Sequence, residues 1–294
     1  MSVKRRDFLK IAGCAGMALL GVSDARARTK EPDPEFSAML IDTTLCEGCR
    51  SCEEACNEKN SLPDPATPFD EGSVYDRKRD TSIGAYTVIN RFPNPRDPGS
   101  PIYVRRQCMH CNQPACASAC LVKGLEKTRQ GPVIYNKERC MGCRYCMISC
   151  PFDIPKFEYD SPSPFIKKCT FCYDRQRQGK IPACAEACPT EATLFGTRRE
   201  LVEVARKRIY RNPGKYVPHI YGEHEVGGTG WLYLSAIPFD QIGFRTDLGV
   251  RPYPELTSGF LYGVPLVFVL WPSMLLALNH FSRKKGERGD EGKD

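Results

Sequence analysis

Cys140-Met141-Gly142-Cys143-Arg144-Tyr145-Cys146-Met147-Ile148-Ser149-Cys150-Pro151 is the stretch on which the fold turns. Three thiols recur every third residue, a fourth follows four residues later, and a proline closes the run. The pattern repeats outward in both directions. Upstream stand Cys46, Cys49, Cys52 and Cys56 at the same spacing, then Cys108, Cys111, Cys116 and Cys120 with two extra residues in the middle loop. Downstream the fourth quartet is split into Cys169, Cys172, Cys184 and Cys188, followed by Pro189. Sixteen of the 17 cysteines therefore fall into quartets. A disulfide framework is plausible for an exported cysteine-rich chain, but its partners would lie far apart at irregular intervals. Structural zinc needs only two Cys-x2-Cys pairs per site and leaves the trailing cysteines without a use. Covalent haem needs His directly after Cys-x2-Cys; those positions hold Arg50, Glu53, Asn112, Arg144, Met147 and Tyr173, which excludes it.

The spacing is instead that of the bacterial ferredoxin run, in which three close thiolates hold one [4Fe–4S] cube and the fourth reaches a neighbouring cube. Four quartets predict four [4Fe–4S] clusters. A short apolar segment precedes each one: Leu40-Ile41-Asp42, Ile102-Tyr103-Val104, Ile134-Tyr135-Asn136 and Phe165-Ile166. Strand, cysteine loop, then a short helix entered through the second half of the quartet make half of a small ferredoxin. Such halves fold as pairs, and the cubes replace much of the core that short strands cannot supply, so metal binding is part of folding. The expectation is an α+β fold of two pseudo-repeated bacterial ferredoxin-like modules over 28–196, with an insertion at 57–107 and one C-terminal transmembrane helix.

The insertion is rich in Pro and Gly and predicts a β-hairpin through Tyr86-Thr87-Val88-Ile89 with surface loops that meet a partner. Arg77-Lys78-Arg79 within it reads as a solvated loop. Thr193-Leu194-Phe195-Gly196 reads as a closing strand. Thr197 then caps a helix, Glu200 completes its capping box and Asn212-Pro213-Gly214 ends it. Leu201, Val202, Ala205 and Ile209 give that helix an apolar face for packing on the cluster domain. Gly227-Gly228-Thr229-Gly230 follows neither the P-loop nor the dinucleotide pattern, so it predicts a turn entering the strand Trp231-Leu232-Tyr233-Leu234. Residues 197–258 make a helix and partner-docking extension on this reading.

Both ends of the chain point to a membrane. Lys4-Arg5-Arg6-Asp7-Phe8-Leu9-Lys10, an apolar stretch from Ile11 to Val22 and Ala25-Arg26-Ala27 have the layout of a cleavable twin-arginine signal over 1–27. That route suits cubes inserted in the reducing cytoplasm, because the chain must cross already folded. Cys14 mimics a lipidation site but lies inside the discarded segment. Near the other end, Phe260 to Leu278 carries no charge and, at roughly 1.5 Å per residue, nearly matches a hydrocarbon core of about 30 Å. Pro265 and Pro272 would kink it; a buried core helix is the alternative. Arg283, Lys284 and Lys285 place a cytoplasmic tail at 282–294 behind a span at 259–281. The remainder then lies on the periplasmic face of the inner membrane. The formal charge is +7. Without residues 1–27 the chain loses five basic and two acidic side chains, leaving +4. Each oxidised cube with its thiolates carries about −2, so the loaded protein is mildly acidic and offers no nucleic-acid surface.

Four such quartets with the last one split, the Gly-Gly-Thr strand entry and the C-terminal helix resemble the iron–sulfur subunits of membrane-bound respiratory oxidoreductases, including the beta subunits of periplasm-facing formate dehydrogenases. Lys10, Gln107-Cys108-Met109-His110-Cys111, the segment Cys140 to Met147 and Tyr221-Gly222-Glu223-His224-Glu225 carry the likeness toward the electron-transfer subunit of group 1 hydrogenase-2 complexes. The chain's own signal favours that member, since the formate dehydrogenase beta subunit typically travels on its partner's signal. Asn57 and Leu121 depart from the pattern, standing where Pro often follows the last cysteine. The resemblance implies four ligand sets: Cys46, Cys49, Cys52 with Cys188; Cys56 with Cys169, Cys172, Cys184; Cys108, Cys111, Cys116 with Cys150; and Cys120 with Cys140, Cys143, Cys146. It implies an electron wire without catalytic residues of its own, fed by hydrogenase small and large subunits (or another periplasmic oxidoreductase) and drained by a multi-span quinone-reactive membrane subunit. A molybdenum or tungsten formate dehydrogenase-type complex and a stand-alone iron–sulfur reductase are the alternatives. Of the four histidines only His110 lies in a cluster loop, where it tunes or shields a cube.

Overall fold

Residues 35–290 are described by the structure, a computed structural model, without the side chains at 281 and 283–290. The signal at 1–27, Cys14 and the side chains of Arg283, Lys284 and Lys285 lie outside the described residues. In chain order the elements are β1 (Ser37–Asp42), α1 (Ser51–Asn60), β2 (Thr87–Phe92), β3 (Ile102–Gln107), α2 (Ala115–Ser118), β4 (Leu125–Lys127), β5 (Val133–Tyr135), α3 (Tyr145–Ile148), β6 (Lys156–Phe157), β7 (Ile166–Lys167), α4 (Tyr173–Gln176), α5 (Ala183–Glu186), β8 (Thr193–Thr197), α6 (Arg198–Arg211), β9 (Trp231–Leu234) and α7 (Tyr253–Asp290).

β1 is the middle of a three-stranded sheet, antiparallel to β8 and parallel to β9. Side chains alternate across a strand, so the sheet has two distinct faces. Met39, Ile41, Trp231 and Tyr233 join the core that contains the cysteines of the first and fourth quartets. Ala38, Leu40, Leu232 and Leu234 pack instead on Leu201, Val202 and Ala205 of α6. The helix thus braces the sheet from behind. Its capping box is present, with Thr197 Oγ1 accepting from the Glu200 N–H and the Glu200 carboxylate accepting from the Thr197 N–H.

The hairpin in the insertion pairs β2 with β3, from Thr87 opposite Gln107 to Phe92 opposite Ile102. Its second strand is the apolar segment ahead of the second quartet, so the insertion feeds directly into a cysteine loop. β4–β5 and β6–β7 are short antiparallel ribbons beside the second and third quartets. Each quartet ends in a helix. α2, α3 and α5 have four residues each, the last two ahead of Cys150-Pro151 and Cys188-Pro189, while α1, with Asn57 after its last cysteine, runs for ten. A proline there would cost the helix a hydrogen bond and clash with the preceding turn.

The glycine run does open into a strand, but the strand's place was not readable from local pattern: β9 lies beside β1, almost 200 residues away in the chain. Gly222 lets the preceding chain pass close against β9, where Tyr221 bridges to Tyr233. The Gly222 φ is +94°, and a Cβ would sit 2.3 Å from the Trp231 carbonyl oxygen. The apolar C-terminal helix begins at Tyr253, earlier than the span expected from 259, because Pro254 falls in the first turn, where its missing N–H costs nothing. An 18-residue window within Tyr253–His280 has a mean hydropathy of 2.0 and is not buried by the other described residues, so this is not a core helix of the described fold.

Candidate functional site

All sixteen quartet cysteines are free thiols, with no disulfide among the described residues. The loops that carry them are built alike. In the first, Gly48 has φ +76° and Arg50 φ +62°; in the third, Gly142 has +73° and Arg144 +61°. These left-handed residues wrap the loop so that successive thiols turn inward, and at Gly48 a Cβ would strike the Tyr103 ring at 2.5 Å. The helices then separate the last two cysteines of each quartet by one turn, as with Cys52 and Cys56 on α1, which is how a single quartet serves two neighbouring centres.

The structure brings the thiols together across quartets. Burial raises the Cys46 pKa to about 11, with Cys188 and Cys49 adding repulsion. Burial, then Cys184 and Cys172, push Cys56 up to about 12. Cys169 is raised by burial and by Cys56, Cys108, Cys184 and Cys172. Burial is again the main cause for Cys111, beside Cys150, Cys108 and Cys116. Cys146 reaches about 11 through burial and its neighbours Cys140, Cys120 and Cys143. The influence also crosses between these groups: Cys184 raises Cys52, Cys108 raises Cys169, and Cys146 raises Cys116. Cys49 and Cys143, in the two outermost groups, are exposed.

The donor set fits iron–sulfur cubes. Clustered, buried thiols that raise one another's pKa are unstable as anions alone but are deprotonated outright by coordinated metal. Cys56, Cys169, Cys172 and Cys184 line one small pocket, walled by Phe171, Pro182 and Trp231. Among the described residues no three metal-binding side chains converge as they would on a single ion; a four-iron cube asks for thiolates at separated corners. Donors also point at sulfur, as cluster thiolates require. The Gly124 N–H reaches Cys120 Sγ at 3.1 Å and the Phe171 N–H reaches Cys169 Sγ at 3.3 Å.

Several neighbours of these groups escaped sequence reasoning. Arg79 departs from the solvated loop expected of Arg77-Lys78-Arg79: its guanidinium bonds both oxygens of buried Glu53, which also pairs with buried Arg50. A carboxylate directly after Cys52 drew it inward, and no local pattern marks that. Lys168 is 5% exposed and donates to the Val133 and Cys169 carbonyls. Lys127 donates to the His110 and Cys111 carbonyls, and burial lowers its pKa to about 8. Arg105 lines the same pocket as Cys56 and Cys184. The only sequence signal for it is a pair of arginines interrupting the apolar strand Ile102-Tyr103-Val104. His110 is buried and stacked on Phe171 with ring centroids 4.8 Å apart, while its Nδ1 accepts from the Val133 N–H at 2.9 Å. Burial, with Lys168 and Lys127 nearby, holds its pKa well below the usual histidine range.

This fold and these thiols define a ferredoxin-like [4Fe–4S] protein. The 4Fe-4S dicluster domain family matches residues 100–198. A protein of Nitratidesulfovibrio vulgaris is 45% identical over 96% of this chain and 77% of its own length. Hydrogenase-2 operon protein HybA of Escherichia coli O157:H7 is 35% identical over 99% of both chains. The nitrate-inducible formate dehydrogenase iron–sulfur subunit of Escherichia coli K12 is 37% identical over 67% of both. The chain belongs to the family of iron–sulfur electron-transfer subunits that includes HybA and the formate dehydrogenase iron–sulfur subunits.

Proposed function

We propose that the chain is a non-catalytic electron relay of four [4Fe–4S] clusters between a periplasmic [NiFe] hydrogenase and a multi-span quinone-reactive membrane subunit. The four thiol groups, whose influence crosses from one to the next at Cys52–Cys184, Cys169–Cys108 and Cys116–Cys146, carry this reading. Within it, Cys46, Cys49, Cys52 and Cys188 hold the first cube; Cys56, Cys169, Cys172 and Cys184 the second; Cys108, Cys111, Cys116 and Cys150 the third; and Cys120, Cys140, Cys143 and Cys146 the fourth. Bound cubes supply one-electron transfer with little rearrangement. The protein's part is to hold them apart from water, direct N–H donors at their sulfurs and fix their order.

Exposed Cys49 and Cys143 suit the two ends of such a relay. Leu121, Met141, Tyr145 and Ile148 are exposed around the second and third quartets and suit a docking face. The start of α7 is tied to the second-quartet loop by Gln113 Nε2 donating to Glu255 Oε1 at 3.1 Å. That tie favours placing the Cys143 end toward the membrane subunit and the Cys49 end toward the hydrogenase. The two ferredoxin-like modules, the twin-arginine signal and the periplasmic orientation complete the proposal.

Matching along 99% of both chains favours the HybA-like reading over a formate dehydrogenase beta subunit, matched over two thirds. Anaerobic purification of the assembly tests it. Nickel, with about sixteen iron atoms per copy of this chain in addition to the hydrogenase's own iron, is the expected result. Molybdenum or tungsten would replace hydrogenase by the formate dehydrogenase type, and colourless, iron-poor material would end the relay.

A further inference from the structure

Arg105 is 2% exposed and sits on β3 with its charge facing thiols. Its guanidinium is held in place: Nε donates to Thr87 Oγ1 across the β2–β3 ribbon at 2.7 Å, and Cζ lies 4.8 Å from the ring centroid of fully buried Trp231. Tyr233 OH anchors the backbone by donating to the Arg105 carbonyl at 3.0 Å. Nη1, in contrast, has no hydrogen-bond partner. Arg105 and Trp231 form part of the wall of the pocket shared by Cys56, Cys169, Cys172 and Cys184. The charges that bear most on it are Cys184, Cys52 and Cys56. Equally buried Arg50 has a carboxylate, Glu53, at 3.1 Å. A buried guanidinium with an unused N–H is costly unless an anion lies beside it, and here the place for that anion is the pocket.

We propose that Arg105 is a positioning cation for the relay, raising the reduction potential of the cluster site at Cys56, Cys169, Cys172 and Cys184 and, less strongly, that of the site at Cys46, Cys49, Cys52 and Cys188. The proposal rests on the four-cluster reading and deepens it. An electron arriving at the site adds one negative charge, and a fixed positive charge in a poorly screened interior favours that state. The electron comes from one neighbouring site and leaves to the next, so no bond, proton or co-reactant is involved. The Trp231 stack and the Thr87 bond keep the guanidinium still while the charge changes, which spares the transfer a reorganisation cost.

The test is an EPR-monitored redox titration of the iron-loaded full-length chain and its variants R105K, R105Q and R105M, each assayed for iron. R105Q and R105M are expected to keep their iron while one midpoint falls, a tenfold or greater change in the reduced-to-oxidised ratio, or about 59 mV for one electron. R105K keeps the charge and should shift much less. Unmoved midpoints in fully loaded R105Q or R105M overturn the proposal, as do equal shifts in all three variants. Should both neutral variants lose iron while R105K stays loaded, the charge requirement is upheld. Iron loss from all three makes Arg105 a structural residue and overturns it. Absence of iron from the unaltered chain would sink the four-cluster reading itself.

Discussion

Cys184 bears on thiols of two quartets: Cys52, Cys56, Cys169 and Cys172 are all raised by it. Replacing it by Ser should remove one cube, lowering iron by about four atoms per chain, measured by metal analysis of anaerobic material. Retention of the full iron content would refute its place as a ligand. Glu53 is the residue on which the first loop hangs, because Arg50, Arg79 and the Ile89 N–H all bond its carboxylate. Glu53→Gln leaves two guanidiniums beside a neutral amide, and breaking a buried ion pair from one side costs about 3–5 kcal/mol. Heating should therefore bleach the iron–sulfur absorbance of the variant at a distinctly lower temperature than that of the unaltered chain. These two residues differ in how visible they are in sequence. A thiol ligand must be a cysteine, so its type and spacing betray it. Glu53 and Arg79 are ordinary surface residues by type, and only the partners packed round them tell otherwise.

At the scale of elements, α6 and the glycine turn before β9 respond in different ways. Thr197→Ala deletes the cap of α6 and should cost about 1 kcal/mol, while Thr197→Ser should be close to neutral; apparent melting temperatures distinguish the three proteins. Gly222→Ala places a methyl group 2.3 Å from the Trp231 carbonyl and 2.5 Å from Thr229 Oγ1 at φ +94°. Backbone strain of this kind alone costs of order 1–3 kcal/mol, and the overlap with backbone adds to it. Poor recovery of folded Gly222→Ala is expected alongside normal recovery of Gly72→Ala, where nothing lies within 4 Å. The capping box and the turn were legible because each is a local pattern. The pairing of β9 with β1 was not, since a four-residue strand carries no record of a partner so distant in sequence.

For the whole molecule, the decisive contrast is between a cysteine-filled core and an apolar helix that the other described residues leave uncovered. A chain ended at Ser258 should leave the membrane fraction on sedimentation and keep its iron. Loss of iron on truncation would instead make α7 part of the cluster fold. The cut keeps both Gln113 and Glu255, so the tie between them is not what the truncation tests.

Composition and spacing alone determined that sixteen thiols group into quartets, that short strands precede them, and that an uncharged segment near the end is long enough to span a bilayer. Those features rest on residue type and local interval, which any short window contains. Tertiary structure alone decided that β9 completes the sheet and that Arg105 lines a pocket with Cys56, Cys169, Cys172 and Cys184 instead of facing water. Each of those depends on contacts between distant segments, and burial is a property of the surroundings, which a residue's own identity does not encode.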